Sequence, residues 1–210
     1  MSTTTLVFRL ACEPDVAGLR ALHALPPGLS DFQVVEYALQ KQRAADLPDH
    51  LPAALQRIVT LAAVEHDNDG VRCHQWSLDA SSEGELLQQF LSCVAVGTRL
   101  VCWNAAEVPV LLQRALLNGC ESAAWPQTLR LAAALAEGAE AELDLAVMAR
   151  LAGMESVSLD TLAVAERCVA EAVLIQQILL RYRRLQGELD AITFQQAQAA
   201  LAAAVQDRGR

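Results

Sequence analysis

Residues 6–16 read LVFRLACEPDV, a short apolar strand that runs straight into a charged turn marked by proline. Such a strand end often forms the floor of an active site. Arg9 stands in the middle of it, at a place where a carboxylate would make chemical sense. Successive strand side chains point to opposite faces, so Arg9 and Ala11 share one side. Glu13 and Asp15 follow, but Glu13 lies beyond that pair and next to Pro14. Recruiting it would need a register shift that turns every side chain to the other face.

Other reactive groups fall into no working pattern. His23, His50, His66 and His74 lack the HxxxH and HxxE spacings of metal and triad chemistry. No GxxxxGK[ST], GxGxxG or GxSxG occurs, which removes three large enzyme classes. Cysteines 12, 73, 93, 102, 120 and 168 are scattered without a CxxC or paired His/Cys spacing, and read as small core residues in a reducing compartment. The densest positive cluster is Arg181, Arg183 and Arg184, expected as a solvated helix face with snorkelling stems.

The elements that must position these groups are bounded by length and composition. At 210 residues the chain is long enough for one well-buried domain, expected over 1–210. No apolar run approaches the ~20 residues of a membrane span, and MSTTT has no basic residues ahead of its apolar stretch, so a cytoplasmic location is expected. A net charge of −9 gives a field that repels polyanions and anionic membranes, although a local basic patch is compatible with it.

Residues 5–11 form an apolar strand before a proline. Pro26, Pro27 and Gly28 break the helical pattern of 14–48, and Ser30 or Asp31 can cap its second helix, whose apolar residues are Phe32, Val35, Tyr37 and Leu39. Strands at 57–66 and 71–78 flank DNDG, a strong hairpin signal. A serine-capped helix at 81–94 leads to a strand at 99–103, too apolar for an edge, and a helix over 107–119 that stops at Gly119. From 126 onward the pattern is entirely helical, in segments 126–137, 140–152, 159–185 and 188–207 punctuated by Gly138, Gly153 and Gly187. The expected class is α/β: a mixed sheet covered by helices, with a helix-rich C-terminal half.

The ordered pieces LVFRLACEPDV, LPAALQRIV, VRCHQWSL, ELLQQFL, LVCWNAAEVPVL, LDL and RYRRLQGELD resemble one family over nearly the whole chain. It is the group of bacterial 3′–5′ exonucleases similar to the proofreading domain of family-B DNA polymerases, within the DEDD (DnaQ-like) exonucleases. The resemblance implies a ribonuclease H-like fold. It also implies four acidic residues that hold two divalent metals, which activate water and stabilise the leaving oxygen of a phosphodiester. In that pattern Arg9 takes the position of the first-motif aspartate and Ala11 that of the glutamate. Glu107, in WNAAEVPVL, stands at the second-motif aspartate, after a loop two residues short. Glu171, in RCVAEAVLI, stands at a metal-binding aspartate, with Arg167 at the aromatic position. Asp144, in LDL, matches an aspartate of the middle helix, and the family's histidines correspond to Ala54 and Gln56.

The residual catalytic positions are therefore Glu107, Asp144 and Glu171, with Glu107 and Glu171 as metal ligands only where activity is retained. Each also has an ordinary structural reading; for Glu107 it is a charge in the first turn of a helix. Two unit positive charges about 4 Å apart repel by on the order of 4 kcal/mol at an effective dielectric near 20, and a divalent ion roughly doubles that. The leading expectation is a pseudo-exonuclease without cofactor, whose C-terminal half binds an unknown protein partner or a second copy. The alternative is an active Mg- or Mn-dependent 3′–5′ exonuclease with a rearranged acidic site. A third reading is a module for single-stranded DNA ends in which Arg9 contacts phosphate.

Overall fold

A computed structural model describes residues 4–123, 125–136, 143–154 and 161–208. Strand β1 (Thr5–Pro14) pairs antiparallel with β2 (Gln56–Asp67), which turns through DNDG into antiparallel β3 (Gly70–Ser77). The turn closes because Asp67 Oδ1 accepts the backbone N–H groups of Asp69 and Gly70, and Gly70 takes φ +135°, open to glycine without a Cβ clash. On the other side β4 (Arg99–Cys102) and β5 (Gln127–Arg130) add in parallel. The order β3-β2-β1-β4-β5, with β2 alone running against the rest, makes a five-stranded mixed sheet of the ribonuclease H-like kind.

Each strand face is matched by a helical layer. Leu6 and Phe8 pack with α3 (Glu83–Ser92) and α4 (Glu107–Leu117) through Leu86, Phe90 and Leu111. Val7 faces the opposite layer, where α7 (Val164–Leu185) contributes Ala172, Ile175 and Leu179, and α8 (Ala191–Arg208) contributes Leu201. Ala11 packs with that second layer too, while Leu10 and Cys12 pack with the first, so the alternation expected of β1 runs its length despite a bulge between Ala11 and Cys12. Ser82 and Ser30 build capping boxes at α3 and α2 (Asp31–Ala44), so Ser30 rather than Asp31 is the cap.

Two expectations need correction. Residues 126–137 are not one helix. Gln127–Arg130 is β5, and helix α5 begins only at Leu131 and ends at Leu135. The apolar β4 requires a backbone partner on its outer edge, and four residues, QTLR, are too few to show a period beside the alanine-rich run that follows. In α2 the buried positions are Val34 and Ala38, while Phe32 is 77% exposed. Helix α6 spans Leu145–Leu151. Gly138, the expected helix residues 140–142, and 159–160 lie outside the described residues.

A buried polar knot fixes α1 (Val16–His23), α3 and α4 to the end of β1. The Arg114 guanidinium, on α4, donates from Nε to Glu83 Oε1 at 2.9 Å and from Nη2 to Glu83 Oε2. Its Nη1 donates to Asp15 Oδ2 and to the Ala54 carbonyl, each at 2.7 Å. Glu83 Oε1 also accepts the Ile58 N–H at 2.8 Å, and Asp15 caps α1 by accepting the Gly18 N–H at 2.9 Å. Removing one member of such a network leaves an uncompensated buried charge, at about 3–5 kcal/mol.

Burial pushes the Asp15 carboxyl up, but the Gly18 N–H and Arg114 outweigh it and hold the group below its ordinary 3.8. A depressed carboxylate stabilises the fold above its unfolded-state pKa, and that contribution is lost as pH falls through the folded value. Urea denaturation is therefore expected to show stability falling as pH drops below 3.8. Asp15→Asn, which keeps a capping oxygen, is expected to flatten that part of the profile; equal slopes would contradict it.

Candidate functional site

Arg9 lies where β1, the first turn of α4 and the middle of α7 converge. Its Nη1 donates to Glu107 Oε1 at 2.8 Å, and its Nε donates to Glu171 Oε2 at 2.5 Å. The local reasons are simple. Alternation turns Arg9 to the α7 side with Val7 and Ala11, and Glu171 opposes it from α7. Glu107 opens α4 just past the end of β4, so its carboxylate faces the neighbouring β1. Asn104 donates its N–H to Glu107 Oε2 at 3.3 Å, and the Leu10 backbone N–H bonds the same carboxylate.

The electrostatics follow from burial. Glu107 is 4% exposed, and desolvation pushes its carboxyl pKa up against the opposing pull of Arg9 and the two backbone amides. Burial would lower the Arg9 pKa, but Glu107 and Glu171 together raise it above the ordinary arginine value. The guanidinium is therefore a permanent cation held between two carboxylates, a geometry its planar fork suits. Nearby thiols offer no nucleophile: burial pushes Cys12 and Cys102 to about 12 and Cys168 to about 11. All six cysteines are free.

Among the described residues, the remaining predicted positions make no ion pair with this triad. Asp144 is exposed and caps α6, accepting the Val147 N–H at 2.9 Å, with no ion pair to Arg9. Glu13 is exposed and faces Arg57 Nη1 at 3.6 Å, so the register shift that would recruit it does not occur. Trp103 is buried and donates its indole N–H to the Leu143 carbonyl at 2.7 Å, a core role. Gln56 bonds the Leu51 carbonyl and Ala54 offers only its carbonyl, to Arg114. Arg167 is half-buried and makes no ion pair among the described residues.

A divalent metal does not fit this arrangement. Among the described residues no group of three or more His, Cys, Asp or Glu side chains could hold one. The two carboxylates that do converge already face a guanidinium, and Ala11 supplies no donor. Sequence reasoning missed the Arg114–Glu83–Asp15 knot, although an arginine on the apolar face of VPVLLQRALL was a visible signal. It also missed the Leu10 and Asn104 amides that hold Glu107.

The five-stranded mixed sheet flanked by helices is consistent with a ribonuclease H-like domain. A family described as predicted 3′–5′ exonucleases related to the exonuclease domain of PolB matches residues 48–165, more than half of the chain, and the chain belongs to that family. Glu107 and Asp144 fall inside the matched span, whereas Arg9, Ala11 and Glu171 fall outside it. No curated protein matches the chain.

Arg9→Met would leave Glu107 and Glu171 facing each other without a counter-charge. Denaturation at neutral pH is expected to show a loss of about 3 kcal/mol. The loss should shrink as pH falls, because a carboxyl with a raised folded-state pKa stabilises the fold below that value and stops doing so as pH rises through it. Adding Glu107→Gln should recover part of the loss at neutral pH. A neutral Arg9→Met would show that the ion pairs carry no weight.

Proposed function

We propose that this chain is a catalytically degenerate 3′–5′ exonuclease-like domain, a pseudo-exonuclease that works by binding rather than by hydrolysis. One observation carries the reading: the Arg9 guanidinium bridges Glu107 and Glu171. The cation that two carboxylates of a nuclease cleft would attract is here part of the polypeptide. It cannot exchange or lower the pKa of a bound water as a metal ion does.

The net charge of −9 supports the same reading, since it opposes an extended polyanion. The use of Asp144 as a helix cap and of Glu13 against Arg57 leaves an active, rearranged site short of ligands. End binding through Arg9 is disfavoured too, because a phosphate would have to displace carboxylates already in place. The proposed role is recognition of a protein partner through the helix-rich C-terminal half, without Mg or Mn.

Incubation with labelled single-stranded DNA, with and without Mg²⁺ or Mn²⁺, tests this. The expected result is an unshortened strand in every lane. Metal-dependent shortening by the wild type that vanishes in Glu171→Ala would establish the active alternative. A mobility shift without cleavage, lost in Arg9→Ala, would establish DNA-end binding instead.

A further inference from the structure

The arginines of this chain are used unequally. Arg9, Arg43, Arg72 and Arg114 each hold two of the chain's own carboxylates. In the RYRR run at the end of α7, Arg183 faces Glu188 at 3.0 Å. Arg181 and Arg184, three residues apart on that helix, face no carboxylate among the described residues. Both line one open groove between α7 and α8, together with Leu185, Phe194 and Gln198.

The groove is built rather than frayed. Arg184 lies over the Phe194 ring, its Cζ 4.9 Å from the centroid, a cation–π contact that holds the guanidinium against α8 while the residue stays exposed. Arg181 Nη1 donates to the Ala152 carbonyl at 2.5 Å, which ties the second guanidinium to the end of α6. Beside them Leu185 is 82% exposed. Two fixed cations next to an exposed leucine, on a protein of net charge −9, form a local inversion of the surface field.

We propose that this groove docks a short acidic peptide segment carrying an aliphatic side chain. Its carboxylates engage Arg181 and Arg184, and the aliphatic group covers Leu185. The assignment rests on the partner-binding reading above and names the chemistry of that partner. A nucleic acid is the poorer fit. The Phe194 ring is 8% exposed and already capped by Arg184, so no aromatic face remains on which a base could stack. Two cations also neutralise few phosphates against the repulsion of the whole chain.

The test is fluorescence anisotropy with a labelled Glu-Glu-Leu-Glu-Glu peptide and the full chain, run in EDTA. A metal-activated nuclease, which would defeat the pseudo-exonuclease reading, leaves these titrations unchanged. Saturable binding is expected, weakened by salt and weakened about tenfold or more by Arg181→Glu/Arg184→Glu. Arg184→Lys keeps the charge but loses the planar fork over Phe194, and should bind more weakly than the wild type yet more tightly than the double glutamate variant. Replacing the peptide's leucine by serine should weaken binding several-fold, as should Leu185→Asp, with far-UV circular dichroism confirming each fold. No binding, binding indifferent to the arginine pair, or tighter capture of a single-stranded oligonucleotide through the same arginines would overturn the proposal.

Discussion

The two ion pairs of Arg9 join the helical layers on the two faces of the sheet. Glu107 belongs to α4, which packs on one face of the sheet, and Glu171 to α7, which packs on the other. Arg9 stands on the strand between them. A guanidinium at this point therefore fastens both helical layers to β1 at the cleft. A strand carboxylate there would repel the other two and require a cation to hold them. With Arg9 between them, Glu107 and Glu171 stay assembled around a cation that belongs to the polypeptide.

The neighbouring structure holds Arg9 in place. Leu6, Val7 and Phe8 are fully buried, so β1 is gripped on both faces before it reaches Arg9. Beyond Arg9 the strand ends on the Arg114 knot, which ties α1, α3 and α4 together through Asp15 and Glu83. The two arginine centres are thus both anchored on β1 and α4. Each satisfies buried carboxylates that would otherwise carry several kcal/mol of desolvation cost. Without Arg9, Glu107 would be left buried with backbone amides alone.

Much of this was legible in the sequence, for physical reasons that differ by element. The strand alternation of LVFRLA placed Arg9 and Ala11 on one face, and the DNDG turn, the serine caps and the central position of β4 followed from local chemistry. Strand β5 was hidden because its four residues have no period of their own and exist only through β4. The role of Asp144 was open because a helix-capping aspartate and a metal-binding one look identical in a chain; the structure adds that its Oδ1 accepts the Val147 N–H. The Arg114 knot was unreadable as a partnership, since its members lie 31 and 99 positions apart.

The centre is tested most directly by isothermal titration of Mn²⁺ into the wild-type chain and into an Arg9→Asp/Ala11→Glu variant that puts the acids back. With the guanidinium in place the wild type should take up no Mn²⁺ at the cleft, while the variant should bind it reversibly to chelator. Stoichiometric Mn²⁺ binding by the wild type that disappears in Glu171→Gln would contradict the account.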